Sequence, residues 1–226
     1  MAKRTRMTGV QRREQLIDVA RSVFAAHGFD GTSIEEIAAA AKVSKPVVYE
    51  HFGGKEGIYA VVVDREVQGL VSTITESLQA AHTPRAMAEG AALGLLTFIE
   101  TNTDGFRILV QDAPSNRSTG TYWSVLGDVA SKVEHVLAHK FKVGGLNPAW
   151  APMYAQMLVG LVAQLGQWWL EERKPDKRQV AAHAVNLAWY GLKNLKADPE
   201  LVTIDKNGNT VSRTRNHGPS KDNASH

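Results

Sequence analysis

The short run SKPVVYEHFGGK, Ser44 to Lys55, holds the side chains of this sequence best suited to chemistry on a polyanion. Lys45 is a long cationic donor, and Pro46 and Val47 beside it are compact apolar groups. In the first turn of a helix, such a set can touch base edges and thymine methyls in a major groove. Tyr49, His51 and Lys55 can reach phosphate oxygens, as can Thr32 or Ser33 with their hydroxyls and helix-end N–H groups. Phe52 is expected to pack inward, and Tyr49 to face DNA.

Other chemistry finds no machinery. There is no G-x-S-x-G elbow, no P-loop, no G-x-G-x-x-G after a strand and no H-E-x-x-H, so neither an enzyme nor a cofactor is implied. His135 and His139 stand four residues apart, but only the adjacent Glu134 offers a third ligand, and the pair is expected to be solvated or packed. Asp205, Asn207 and Asn209 echo the start of a calcium loop, yet Thr210 occupies the place of its glycine and Asn216 that of its bidentate acid. The chain has no cysteine, which excludes disulfides and thiolate sites and fits a reducing cytoplasm. No apolar segment follows the basic MAKRTRM start, so a cytoplasmic location is expected. A net charge of +3 is a weak argument for a polyanionic partner. Its distribution says more: Lys3, Arg4, Arg6, Arg12 and Arg13 crowd the first residues, either as an arm that neutralises phosphates or as a solvated tail.

Three short helices must position the Ser44–Lys55 run. Thr8 and Gln11 have capping-box spacing, so a first helix starts near Val10. Leu16, Ile17, Ala20, Val23 and Phe24 form its apolar face until Gly28 ends it. Thr32 or Ser33 caps a second helix, with Ile34, Ile37, Ala38 and Ala41 inward and Glu35 and Glu36 at its positive end. After Lys42 and Val43, Ser44 caps a third helix with Pro46 in its first turn. Helix, tight turn and helix is a DNA-binding arrangement.

The segment ARSVFAAHGFDGTSIEEIAAAAKVSKPVVYEHFGGKEGIY, Ala20 to Tyr59, resembles the N-terminal domain of TetR-like transcriptional repressors, and the likeness runs from about Val10. The resemblance implies that Lys45, Pro46, Val47 and Tyr49 face the groove, and that Thr32, Ser33, His51 and Lys55 grip the backbone, with Ser44 at the same edge. Glu35 and Glu36 depart from it, standing where many relatives present a cation or polar group, and no DNA contact is assigned to them.

Lys55–Glu56 opens a long fourth helix carrying Val63, Val67, Leu70, Ile74 and Leu78. In the resembled family this helix links two domains, and its pendulum-like movement respaces the paired recognition helices. Further helices follow: one after Thr83–Pro84, a short one from Phe106 to Gln111, one from about Gly120 to Lys142, one inside the uncharged Val143–Leu170 stretch, and a ninth after Pro175–Asp176. That uncharged stretch is long enough for a bilayer. Asn147–Pro148, Pro152 and three glutamines within it argue instead for a helix buried on nearly all sides, with a partner chain approaching at Gly160, Ala163 and Gly166, and against a membrane partner. On the ninth helix Val180, Ala184, Leu187, Ala188 and Leu192 share one face. The resemblance gives these last two helices the role of a four-helix homodimer interface. Two recognition helices about 34 to 36 Å apart would then read a pseudo-palindromic operator on double-stranded DNA.

The expected organisation is therefore all-α. Residues 1–54 form a basic arm and helix-turn-helix domain, 55–196 a larger helical effector and dimerisation domain of a chain with about nine helices, and 197–226 a polar, mobile tail. A hairpin at Asn207–Gly208 is conceivable in that tail, though two strands alone are marginal in water. All five tryptophans fall in the larger domain. Its Phe98, Phe106, Trp123, Leu126, Met157, Leu161 and Trp168 are expected to line a site for a small apolar ligand, with Arg107 meeting an anionic head group. TFIETNTDGFRILVQDAP, LVGLVAQLGQWWLEERKP and AVNLAWYGL are similar to segments of actinobacterial TetR-like regulators of fatty-acid synthesis. That similarity implies a lipid-like effector such as acyl-CoA or a fatty acid. The expected function is a ligand-responsive repressor that releases its operator when the effector binds. A lipid carrier that keeps the helix-turn-helix without using it is the alternative.

Overall fold

The computed structural model describes residues 7–79, 82–111, 122–197, 199, 203–204 and 210–211, with backbone alone for Leu78, Tyr122, Trp123 and the strand residues. Among these it contains nine α-helices. They are α1 (Gly9–Gly31), α2 (Ile34–Ala40), α3 (Lys45–Phe52), α4 (Lys55–Gln79), α5 (Pro84–Thr101), α6 (Thr103–Gln111), α7 (Tyr122–Val143), α8 (Ala151–Glu172) and α9 (Lys177–Lys193). A 3₁₀ turn, Pro148–Trp150, leads into α8. Two-residue strands β1 (Thr203–Ile204) and β2 (Thr210–Val211) pair antiparallel, so the hairpin considered for the tail does close. The remainder of the tail, and Lys3, Arg4 and Arg6 of the basic arm, lie outside the described residues.

Local chemistry sets the helix boundaries. The Thr8–Gln11 capping box closes reciprocally, the Gln11 N–H reaching Thr8 Oγ1 at 3.2 Å and the Thr8 N–H reaching Gln11 Oε1 at 2.9 Å. Gly28, at φ 70°, breaks α1, and a last turn continues to Gly31. Thr83 and Asp176 cap α5 and α9 by accepting first-turn N–H groups, as their positions predict. At the α3–α4 corner Gly53 and Gly54 both take positive φ, 76° and 151°. A Cβ on Gly57 would fall 1.9 Å from the Phe52 carbonyl, so three glycines make that turn possible.

One continuous core joins the small N-terminal bundle to the larger domain. Leu16, Phe24, Ile37 and Val48 belong to it, and so do Leu70, Phe98, Ile99 and Phe106. α4 runs through both regions, packing against α1 and α3 at its start and along α5 beyond. A second cluster, Leu137 and Phe141 with Ala151 and Ala155, holds α7 to α8, where the Phe141 and Tyr154 rings meet edge to face at 5.4 Å. The uncharged stretch is divided between the end of α7, the 3₁₀ turn and α8. Among the described residues no helix is long and apolar enough to cross a membrane.

α8 is not buried on nearly all sides. It buries Ala155, Val159, Ala163, Gly166 and Trp169 and leaves Met153, Met157, Gly160 and Trp168 exposed. Gly166, expected to admit a partner chain, packs within its own chain, because a Cβ there would lie 3.0 Å from Leu95 and Ile99. Gly160 alone of the three small residues stands on the open face. On α9 the buried face is Val180, Ala181, Ala184 and Val185, and Leu187 turns outward with Tyr190.

Candidate functional site

The α3 surface is assembled by its supports. Val48 is completely buried and anchors the helix, while Val47 sits half-buried against the same core and is less available to a groove than its position in the pattern implies. Ser44 precedes the helix in extended conformation but makes no side-chain cap bond, so its exposed hydroxyl is not committed to the first turn as predicted. Pro46 is exposed beside it. Tyr49 is 46% exposed. His51 is half-buried, and its carbonyl accepts from Arg13 Nη1 at 2.7 Å.

Arg13 also lies 4.4 Å over the Phe52 ring. It thus neutralises the negative end of α3 and packs that helix onto α1. Its place among the N-terminal cations implies a phosphate-binding arm or a solvated tail, and the structure makes it instead a fastener of α3. Phe52 packs inward, as read from the sequence.

Two of the expected phosphate contacts turn out to hold the α1–α2 corner. Thr32 is 3% exposed, and its hydroxyl donates to the Gly28 carbonyl at 2.8 Å. Lys55 Nζ donates to the Phe29 carbonyl at 2.9 Å and the Thr32 carbonyl at 3.1 Å, and lies 4.4 Å over the Phe29 ring. Breaking α1 at Gly28 leaves carbonyls that need donors, and these two side chains supply them. An ammonium has three N–H groups, so Lys55 keeps at most one for a phosphate. Ser33 stays exposed while its Oγ accepts the Glu36 N–H at 3.1 Å, capping α2.

Lys45 is the exposed cation at the start of α3, and it does not stand alone. Its Nζ is ion-paired with Glu35 of α2 and lies 5.8 Å from the Tyr49 ring centre. The hydrogen bond between the two side chains holds the Glu35 carboxyl below its ordinary pKa and raises that of Lys45. Glu36 binds His27 Nδ1 at 2.7 Å. The turn between α2 and α3 places Lys42 at φ 56°, with the Val43 N–H reaching the Ala38 carbonyl at 2.9 Å, a Schellman closure normally given to glycine. Sequence spacing finds the turn but not the strained lysine in it.

Among the described residues, those chosen for an effector do not converge on one open cavity. Phe98 and Phe106 are fully packed in the main core, and Leu126 and Leu161 are half-buried. Met157 and Trp168, expected on inner faces, are 56% and 45% exposed, because α8 buries the neighbouring Val159 and Trp169 instead. The Trp169 indole donates to the Pro175 carbonyl at 2.8 Å. Arg107 faces Glu171 at 3.8 Å near the surface, and the Trp123 side chain lies outside the described residues. Arg173, not singled out by any motif, ties α8 to α5 and α6 through the Ile99 carbonyl at 3.3 Å and the Thr103 hydroxyl at 2.8 Å. An open groove of about 500 Å³ runs along α4 beside Val67, Val71 and Thr75.

Where the larger region meets the N-terminal helices, α6 sits on a buried carboxylate. Glu66 of α4 is 4% exposed and lies 3.6 Å from Arg21 of α1. A Cβ on Gly105 would fall 1.9 Å from Glu66 Oε2, and Asp104 accepts from Ser22 of α1 at 3.2 Å. Burial raises the Glu66 pKa, and Arg21 opposes that rise without cancelling it.

Comparison with known proteins gives this arrangement its context. Residues 16–62 match the bacterial regulatory proteins of the tetR family, and residues 73–201 match the tetracyclin repressor-like C-terminal domain. The chain belongs to the TetR family. The HTH-type transcriptional activator FasR of Mycolicibacterium smegmatis is 29% identical over 195 residues, covering 82% of this chain and 84% of that relative. The probable acrEF/envCD operon repressor of Escherichia coli K12 is 39% identical over 59 residues, 26% of this chain and 27% of that protein. A TetR-like transcriptional regulator from Rhodococcus sp. RHA1 has a solved structure that matches with a TM-score of 0.67 at 25% identity, covering 84% of this chain and 100% of that one. This TetR-family chain is a helix-turn-helix transcription regulator. Ligand binding and dimerisation are typical of its family.

Proposed function

We propose that this TetR-family chain is a homodimeric, cytoplasmic repressor that binds a pseudo-palindromic operator through α3 and releases it when a small apolar, lipid-like effector enters the larger region. The observation that carries the reading is the exposed Lys45–Tyr49 edge of α3, braced from behind by Arg13 and Val48. Ser44, Pro46 and Tyr49 are exposed to complete the contact with DNA, Ser33 is exposed while its Oγ caps α2, His51 and Val47 contribute from half-buried positions, and Lys55 has one N–H to offer.

Dimerisation through α8 and α9 is supported by the apolar side chains both helices leave exposed, Met153, Met157 and Trp168 with Leu187 and Tyr190. Repression asks only that an occupied operator exclude the transcription machinery. The activator from M. smegmatis keeps the opposite sign in view. A lipid-like effector, acyl-CoA or a fatty acid, is supported by the sequence likeness of the larger region. Residues 1–54 would read DNA, and 55–196 would sense and pair.

Mobility shifts against the gene's own upstream region test the DNA half. A sequence-selective complex at moderate salt is expected, whereas a lipid carrier would show none. Mass spectrometry of ligand co-purifying with the protein tests the effector half, and a polar metabolite would refute the lipid assignment.

A further inference from the structure

Glu35 stands outside the core, exposed to solvent. Its side chain is 64% exposed in the first turn of α2, and its carboxylate is spent on Lys45, the cation at the start of α3. Lys45 in turn lies against Tyr49, so carboxylate, ammonium and phenol form one contiguous exposed set on the reading edge. The neighbouring acid does nothing similar, since Glu36 is turned back to His27 on α1.

This placement has an electrostatic consequence. Every duplex offers the same phosphates, and an unpaired lysine at a reading edge gains affinity for all of them by releasing counterions. With Glu35 attached, a phosphate contact by Lys45 only exchanges one exposed ion pair for another, and the carboxylate itself is repelled by the backbone. A base edge is different. Guanine O6 and N7 offer Lys45 directional acceptors inside the groove, away from the phosphate rows. There the ammonium, with three N–H groups, can donate to the base and stay bonded to Glu35, so the base contact costs no ion pair and the phosphate contact does.

We propose that Glu35 is a specificity-determining residue that holds Lys45 off phosphates, lowering affinity for random DNA far more than affinity for the operator. The inference rests on α3 being the reading helix. It adds that discrimination comes from an acidic side chain on the preceding helix, one that need not contact DNA itself.

The test uses the full-length protein, an operator selected from a random duplex pool by the wild-type chain, and a random-sequence duplex of equal length. Glu35→Gln keeps the side chain's shape and removes its charge. It should tighten binding to random duplex by about threefold to tenfold at low salt and steepen that log–log salt slope by about 0.9, one more phosphate neutralised. Operator affinity should change by less than about twofold, and unfolding should be unaltered because the pair is exposed. In a Lys45→Ala background the same substitution should lose most of its effect on random duplex. Equal tightening on both duplexes, weakened operator binding, or an undiminished effect without Lys45 would each overturn the proposal while leaving α3 as the reader. A wild-type chain that selects no sequence would overturn the reading helix and this proposal together.

Discussion

At the scale of single residues, α3 divides into side chains left exposed and side chains held by the rest of the fold. Replacing Lys45 or Tyr49 by alanine should weaken specific binding by roughly 1–3 kcal/mol for each base edge left unread, with little change on random duplex for Tyr49, measured by mobility shift. Lys55→Ala should behave differently. It removes the ammonium donor from the Thr32 carbonyl and one of the two donors from the Phe29 carbonyl, which keeps the Thr32 N–H, so urea unfolding should show a loss of about 1–2 kcal/mol before any DNA is added. Lys42→Gly should stabilise the fold by about 0.5–1 kcal/mol in the same assay, because glycine takes a left-handed φ without the Cβ conflict that lysine carries at 56°. These residues also mark how far the sequence was legible. Lys45, Pro46 and Tyr49 could be placed because helix periodicity alone decides what faces out. Thr32 and Lys55 could not, since their partners are backbone carbonyls exposed by the break at Gly28. Hydroxyls and ammonium groups near a helix end serve carbonyls and phosphates equally well.

At the scale of elements, caps and glycines fixed boundaries that the structure reproduces, from the Thr8–Gln11 box to Asp176. Which face each helix buries in the larger region was harder to read. α8 is apolar nearly all round, so its sequence gives no contrast by which to choose Trp169 over Trp168 as the buried indole. The junction of α1, α4 and α6 was invisible, because Arg21, Glu66 and Gly105 are far apart in the chain. Gly105→Ala should push α6 off Glu66 and destabilise the protein by about 1–3 kcal/mol in urea unfolding. Glu66 also predicts a pH dependence. A carboxyl whose folded pKa is raised binds more protons folded than unfolded. Its contribution is therefore complete below the ordinary value of 4.5 and is lost as pH rises through the folded pKa. Against Glu66→Gln, which does not titrate, the wild type should gain stability as pH falls from neutral toward 4.5 and hold that gain below it. Thermal melts of the two proteins across that range check the sign.

At the scale of the whole molecule, the helical fold and its family are secure, and the remaining surface argues for pairing. Met157 and Trp168 on α8 and Leu187 and Tyr190 on α9 expose apolar area that a second copy would cover. Met157→Glu should therefore yield a monomer by light scattering and lose operator affinity while keeping its α3 surface intact. Pairing matters because one α3 reads too few bases to find an operator. In the proposed dimer, two copies of the Lys45–Tyr49 edge, held by α8 and α9, read DNA one helical turn apart. The most direct measurement is selection of a binding site from a random duplex pool followed by footprinting. The expected result is a pseudo-palindrome whose half-sites are centred about 10 base pairs apart, or a multiple of that spacing, and protected on one face. A selected site without two-fold symmetry, or no selected sequence at all, would contradict it.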